Sequence, residues 1–203
     1  MKTLKSNSIN EIIIKNSRFI TLLYKLNDVN VVNSIVDEAK ELYPKANHYC
    51  YAYITDNAKR SSDDGEPGGT AGAPMLNVLD KEELINVLAI TVRYFGGIKL
   101  GAGGLVRAYS SSTSEVLKDV TFYKPKQQKR FIITISYSSY QTLTKMLPYI
   151  KIEKTSFMSE VTIEGYCDIE LYDNIVKDAY TYKIGDLSIT PLDISTIEIP
   201  LNI

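Results

Sequence analysis

Residues 87–109 read VLAITVRYFGGIKLGAGGLVRAY, and this stretch decides the fold of the first half of the chain. Val87–Tyr94 is an apolar run of strand length. Phe95–Gly104 is a loop that holds five glycines, and Leu105–Val120 carries its apolar residues on one helical face. A strand, a glycine loop and a helix in this order present backbone N–H groups and the positive end of a helix to an anion.

Three cations accompany these glycines. The pattern is not a Walker loop, because no Gly-Lys-Ser/Thr follows, and it is not a Gly-x-Gly-x-x-Gly fingerprint, because position 106 is Val. The stretch is either a tight strand–helix connection that needs glycine for close backbone approach, or an anion site. The predicted phosphate- or RNA-binding residues are Arg93, Gly96, Gly97, Lys99, Gly101, Gly103, Gly104 and Arg107.

A second unusual segment, 62–72, precedes this stretch and places Asp63, Asp64 and Glu66 within four residues. Carboxylates this close repel one another unless water, a cation or a basic group lies between them. Oxygen ligands of this kind suit Mg²⁺, although the sequence defines no ligand set. The alternative is a solvated acidic turn in which Thr70 caps the following helix. We expect an acidic loop made by Asp63, Asp64, Glu66 and Thr70.

The rest of the first half alternates strands and helices. The pattern predicts a strand pair over Ile9–Asn16 and Arg18–Leu26, then a helix that begins at Asn27 or Asp28 and ends before Pro44. Arg60–Pro74 is predicted as a polar loop, and Thr70–Leu79 as the start of a further helix.

Between these elements, His48–Ile54 alternates as a strand does. His48, Cys50, Ala52 and Ile54 share one face, while Tyr49, Tyr51 and Tyr53 share the other. Residues two apart on a strand lie about 6.5–7 Å apart, too far for His48 and Cys50 to form a nucleophilic pair. We therefore expect no catalytic residue here and a structural role for the histidine.

Charge and composition divide the chain near residue 125. Residues 1–130 hold 18 Lys and Arg against 14 Asp and Glu, whereas residues 131–203 hold 5 against 10. The polar segment 124–130 is predicted to be a linker between domains over 1–125 and 126–203. The second domain shows the strand–helix–strand–strand–helix–strand order of a ferredoxin-like fold. Its acidic balance favours either contact with a protein partner or a purely supporting role. The elements predicted there are strands over Phe131–Ser138, Ile152–Met158, Val161–Ile169 and Leu187–Ile194, with helices over Ser139–Tyr149 and Tyr172–Tyr182.

Composition excludes several classes of protein. The 203 residues are 44% hydrophobic and 23% charged with a net charge of −1, which excludes disorder and a polybasic nucleic-acid coat. The two cysteines are far apart, which excludes a disulfide scaffold and a zinc knuckle. No apolar run approaches the ~18 residues of a membrane span. We expect a cytoplasmic protein with no membrane partner.

Two motifs closely resemble the signature of the YigZ/IMPACT family: DDGEPGGTAGAP at 63–74 and RYFGGIKLGAGGLVRAY at 93–109. Shorter matches are SRFI at 17–20 and NHYCYA at 47–52. The motifs carry the resemblance over about residues 10–120. For the second domain, the resemblance rests on its pattern of predicted elements and on its position after the first domain.

This resemblance implies an α+β fold of two α/β-sandwich domains. The first, over 1–125, would resemble domain 2 of ribosomal protein S5. The second would resemble the ferredoxin-like C-terminal domain of elongation factor G. The resemblance also implies a role near the ribosome or RNA, because these two domains are neighbours in translation factors.

Three hypotheses follow. In the leading one, the chain is a translation-associated protein that binds RNA or the ribosome through Arg93, Lys99, Arg107 and the glycine N–H groups, while the acidic loop holds Mg²⁺ or braces the arginines. In the second, it is an enzyme that acts on a phosphorylated small molecule with Mg²⁺ held by the acidic loop. In the third, both loops are internal struts and function lies elsewhere.

Overall fold

An antiparallel sheet with helices on both faces forms the first part of the chain. The computed structural model describes residues 1–146, 149–181 and 187–201. It divides the chain into two units, Met1–Lys124 with Pro200–Ile203, and Pro125–Ile199. In chain order the first unit contains β1 (Thr3–Leu4), β2 (Ser8–Ile14), β3 (Ser17–Lys25), a 3-10 turn (Val29–Val31), α1 (Val32–Leu42), β4 (His48–Ile54), β5 (Lys59–Ser62), α2 (Gly72–Lys81), β6 (Val87–Tyr94) and α3 (Ala102–Lys118).

Strand β6 is central in this sheet, whose strand order is β2-β3-β6-β4-β5. Every neighbouring pair on this path is antiparallel. Seven of the eight residues of β6 are buried, which is the burial expected of a continuous apolar run covered on both faces. The strand predicted over 87–94 is confirmed with the same bounds.

The alternation predicted for β4 is confirmed, because its two faces contribute to different hydrophobic cores. Cys50, Ala52 and Ile54 pack in a core with residues of α2 and α3, including Met75, Tyr109 and Val116. Tyr53 packs in the core on the opposite face, with Val32, Val36 and Ala39 of α1. Tyr49 and Tyr51 lie against that second core.

Several bounds in the first unit differ from the prediction. The helix expected from Asn27 or Asp28 begins as the 3-10 turn at Val29 and continues as α1 from Val32, and the first two predicted strands are shifted by one or two residues at their ends. Lys59–Ser62 forms the edge strand β5, which overlaps the start of the segment predicted as a loop over Arg60–Pro74. This Lys-Arg-Ser-Ser run has no apolar alternation, and its strand conformation comes from pairing with β4 between Tyr51 and Ile54. Helix α3 begins at Ala102 rather than Leu105, because the Leu105 N–H donates to the Gly101 carbonyl at 2.9 Å.

The second unit contains strands and helices in the predicted order. Its elements are β7 (Phe122–Ile135, which begins in the first unit), α4 (Tyr137–Met146), β8 (Lys151–Phe157), β9 (Val161–Asp168), α5 (Ile169–Thr181) and β10 (Ser188–Pro200). The strand order is β10-β7-β9-β8. The predicted helix residues Leu147, Pro148 and Tyr182 lie outside the described residues. The core joins Phe131, Ile133, Ile135, Val161, Ile163 and Cys167 of the sheet to Leu143, Ile175 and Ala179 of the helices.

The segment 124–130, predicted as a linker, lies within strand β7. Gln128, Lys129 and Arg130 pair with residues 166–168 of β9, and Gln128 is buried. The prediction of a linker was wrong, because these residues form part of a strand. Their pairing with a strand that is distant in the sequence stabilises this conformation despite their polar composition. None of the helices in the described parts of the chain is long and apolar enough to cross a membrane.

Candidate functional site

The two unusual loops meet where β6 ends. Because β3 and β4 both run antiparallel to β6, their first residues lie beside its last ones: Phe19 and His48 both pair with Arg93. The glycine loop begins at this end of β6. The acidic loop reaches the same end of the strand through Glu66. The Arg93 Nη1 atom donates to Glu66 Oε1 at 2.6 Å.

This Arg93–Glu66 ion pair is buried. Arg93 is 5% exposed and Glu66 is 8% exposed. The Tyr109 hydroxyl of α3 also donates to Glu66 Oε1, at 2.7 Å. Charges withdrawn from water require such partners, since an unpaired buried charge costs several kcal/mol. The acidic loop, β6 and α3 are therefore joined through one carboxylate oxygen.

The guanidinium of Arg93 lies between two aromatic rings. Its central carbon is 5.3 Å from the Phe19 ring centroid and 5.7 Å from that of Phe95, within the range of cation–π attraction. Its Nε has no hydrogen-bond partner among the described residues. Arg93 was predicted as a phosphate ligand together with Lys99 and Arg107, but the structure places it inside the unit as a brace.

Asp63 holds the start of helix α2. Its Oδ1 accepts hydrogen bonds from the N–H groups of Ala71 and Gly72 at 2.9 and 2.8 Å, and its Oδ2 accepts one from Gly69 at 2.7 Å. Burial works to raise the pKa of Asp63, but the N–H donors of Gly69, Gly72 and Ala71 together outweigh it and hold the pKa below its ordinary value. Asp63 is a structural cap.

The remaining acidic-loop residues also have protein partners. Asp64 Oδ2 accepts from the Tyr49 N–H at 2.6 Å. The Thr70 hydroxyl donates to the Pro67 carbonyl at 2.6 Å, so the capping role considered for Thr70 belongs to Asp63. Within the described ranges, no group of three or more His, Cys, Asp or Glu side chains is arranged to hold a metal. The acidic loop does not fit the Mg²⁺ site that its composition suggested.

His48 and Cys50 have separate hydrogen-bond partners. His48 Nδ1 lies 2.8 Å from the Asp64 carbonyl oxygen. The Cys50 thiol donates to the Asp63 carbonyl at 3.0 Å, and burial raises its pKa to about 12. At neutral pH this thiol is protonated, which removes the thiolate that nucleophilic chemistry requires.

The glycine loop is fastened by two polar side chains that the sequence reasoning did not single out. Ser17 Oγ accepts from the Gly96 N–H at 3.1 Å, and Asn47 Oδ1 accepts from the Phe95 N–H at 2.8 Å. A Cβ on Gly96 would lie 2.1 Å from the Asn16 carbonyl carbon. Ser17 and Asn47 both begin short stretches that match the family, which was the available signal.

Lys99 and Arg107 differ from Arg93 because both are exposed. Neither forms a salt bridge within residues 1–146, 149–181 and 187–201. The Arg107 Nη1 atom lies 3.7 Å from the position that a Cβ on Gly103 would occupy. Its guanidinium therefore lies over the first turn of α3, as expected for a helical side chain that points toward the N-terminus.

A sequence model described as the Impact N-terminal domain matches residues 15–117, which include both loops. The chain belongs to the IMPACT family. The family member YvyE of Bacillus subtilis is 40% identical over 139 residues, 67% of this chain and 64% of that protein. A family member of Haemophilus influenzae is 36% identical over 169 residues, 75% of this chain and 82% of that protein. The YvyE alignment thus covers less than two thirds of its length.

One solved structure supports the fold of this IMPACT family chain. A crystal structure of a hypothetical protein superposes with a TM-score of 0.60 and 27% sequence identity, and the alignment covers 95% of this chain and 97% of that one. The overlap includes both units. The mixed α+β architecture with two sheets is therefore shared with this solved relative.

The buried ion pair predicts a large stability difference between two glutamate substitutions. Glu66→Ala leaves the Arg93 charge buried without a counter-charge, and we expect it to lower the free energy of unfolding by about 3–5 kcal/mol. Glu11 pairs with Arg18 at the surface, so Glu11→Ala is the control, with an expected loss of about 0–1 kcal/mol. Urea denaturation measures both, and equal losses would contradict the bracing role.

The capping role of Asp63 predicts a pH dependence. Because the folded-state pKa is lowered, the stabilisation is present above the unfolded pKa of about 3.9 and is lost as pH falls through the folded pKa. Asp63→Asn should cost about 1–2 kcal/mol at pH 7, and the difference from wild type should shrink near pH 2–3. Urea melts at both pH values test this. Asp37→Asn, at an exposed carboxylate, is the control. A pH-independent difference would refute the explanation.

The packing at Gly96 predicts that even one methyl group is not tolerated. Gly96→Ala places a Cβ against the backbone of the β2–β3 turn, and we expect a loss of about 2–4 kcal/mol in unfolding free energy. Gly68 has open space at the same position, so Gly68→Ala should stay within about 0.5 kcal/mol of wild type. Thermal and urea melts compare the two. Similar stabilities of these alanine variants would show that the loop has room to move.

Proposed function

We propose that this chain is a translation-associated protein that binds RNA, free or in the ribosome, through the exposed cations beside the glycine loop of the first unit. The observation that carries this proposal is the arrangement of Lys99 and Arg107. Both side chains are exposed and without salt bridges in the described structure. Arg107 also lies over the first turn of α3.

The electrostatics of this turn favour a phosphate group. The first N–H groups of a helix have no partner within it, and the aligned peptide dipoles place partial positive charge there. Helix α3 has no acidic residue in its first turn. Its N-cap residue is Gly101, which has no side chain that could accept from the free N–H groups. Gly103 has no side chain of its own, and the Arg107 guanidinium lies beside it, which suits the approach of an anion to this turn.

The proposed ligand contacts are fewer than the sequence suggested. Lys99 and Arg107 supply the charge, while Gly101, Gly103 and Gly104 supply backbone N–H groups. Gly96 and Gly97 shape the loop. Arg93 and the acidic loop hold the surface in place from inside the unit and do not touch the ligand.

We do not propose Mg²⁺-dependent chemistry on a phosphorylated small molecule. Each carboxylate of the acidic loop already accepts hydrogen bonds from protein donors: Asp63 from three N–H groups, Asp64 from Tyr49, and Glu66 from Arg93 and Tyr109. Among the described residues these carboxylates also do not come together with others as a set of three or more metal ligands.

The translational setting and the finer fold assignments belong to the same proposal. The resemblance of the motifs to the family is the basis for placing the chain near the ribosome and in the cytoplasm. The strand order β10-β7-β9-β8 and the order of elements support a ferredoxin-like second domain over 126–203. We propose a protein partner for that domain and an S5-like fold for the domain over 1–125.

Removing the two exposed cations tests the proposal. We expect the double variant Lys99→Ala/Arg107→Ala to bind RNA more weakly. The slope of log K against log salt should flatten by about 1.4–1.8, because two phosphate contacts are lost. Fluorescence anisotropy with a labelled RNA, repeated across a salt series, measures both quantities.

The control is Lys40→Ala/Lys118→Ala, which removes the same charge from the same unit. Both of these lysines pair with acidic neighbours, Asp37 and Glu115. The proposal expects this control to keep the affinity of the wild type to within about twofold and to leave the salt slope unchanged, since charge removed away from a site acts only through the screened field. Equal losses in the two double variants would refute it.

A further inference from the structure

We infer that the glycine-loop site takes single-stranded RNA, and that Phe95 is the surface on which an unpaired base stacks. This inference rests on the proposed function of the same site and specifies its ligand. Phe95 is the first residue of the loop and is 46% exposed. An isolated exposed apolar residue needs no explanation by itself, but the surroundings of this ring set it apart.

The backbone of Phe95 is held on both sides. Its own N–H donates to Asn47 Oδ1 at 2.8 Å. The next N–H, that of Gly96, donates to the buried Ser17 Oγ at 3.1 Å, and Gly96 lies against the backbone of Asn16. An aromatic ring on a fixed backbone loses little conformational freedom when a ligand binds, which makes it a favourable contact surface.

The ring itself has support from within the unit. The Arg93 guanidinium carbon lies 5.7 Å from the Phe95 centroid, and Glu66 holds that guanidinium in place. The buried ion pair thus takes one side of the ring, while nearly half of the residue remains open. Base–aromatic stacking needs such an open ring, and it tolerates any base because every base has a π-face.

Exposed apolar and cationic residues stand next to each other along the loop that begins at Phe95 and along the first turns of α3. Ile98 is 46% exposed and Val106 is 38% exposed. In the sequence, Ile98 is followed by the exposed Lys99 and Val106 by the exposed Arg107. A single strand offers apolar base faces and phosphates to such a surface at once. A duplex hides its base faces in the stack and offers mainly its backbone, so Phe95 would gain nothing from it.

The test uses the full chain and three labelled probes of equal length: a single-stranded RNA, the same backbone without bases, and a blunt RNA duplex. We expect the single strand to bind best in fluorescence anisotropy at fixed salt. Phe95→Leu keeps an apolar side chain but removes the ring, and should weaken single-strand binding roughly 5- to 100-fold. Binding of the abasic strand should not change.

Two further variants separate stacking from folding. Phe95→Tyr keeps the ring and should restore single-strand affinity to within about threefold of wild type, since Tyr offers an equivalent stacking face. Phe157→Leu removes another exposed phenylalanine ring and should leave all three affinities unchanged. Thermal melts of each variant confirm that the protein is folded at the temperature of the binding experiment.

The possible failures are distinguishable. If Phe95→Leu binds the single strand like wild type, or loses affinity equally for the abasic strand, stacking is refuted. The phosphate site then stands provided that Lys99→Ala/Arg107→Ala still weakens binding. Equal wild-type affinity for the single strand and the duplex also refutes the inference. If the wild-type protein binds none of the three probes, the proposed function fails and this inference fails with it.

Discussion

The buried pair between Arg93 and Glu66 is the interaction on which the rest of the first unit depends. A guanidinium at the end of a central strand is stable only if a carboxylate accompanies it, because removing either charge from water alone costs several kcal/mol. Glu66 supplies this carboxylate only when the acidic loop folds back over the end of β6. The Tyr109 hydroxyl then connects the same oxygen to α3, so strand, loop and helix are positioned together.

This arrangement separates charges that support the structure from charges that face solvent. Asp63 and Glu66 accept hydrogen bonds from protein donors, and Arg93 donates to Glu66. Lys99 and Arg107 lie on the adjoining surface without salt bridges to described residues. Dissolved salt screens the buried Arg93–Glu66 pair weakly and the exposed Lys99 and Arg107 strongly. Removing one member of the buried pair is therefore costly, whereas the two exposed cations are the groups that we propose contact an anionic ligand.

The rigidity of the glycine loop has the same origin. Glycine is usually associated with flexible backbone, yet Gly96 is present because no side chain fits against the β2–β3 turn. Ser17 and Asn47 take the N–H groups of this loop and Arg93 lies against the Phe95 ring. A preorganised surface loses less entropy on binding than a mobile one, so the close packing behind the loop and ligand binding in front of it are compatible.

Local patterns in the sequence determined the elements and the residue types of the site. The alternation over 48–54 and the apolar run over 87–94 identified strands, because side-chain periodicity follows backbone geometry. Pairing between distant segments decided the rest: β5 and the start of β7 are strands through their partners, despite polar sequences. Burial likewise distinguished Arg93 from Lys99 and Arg107, which are identical in formal charge. Only the tertiary structure sets that difference, because the energy of a charge depends on the solvent and partners around it.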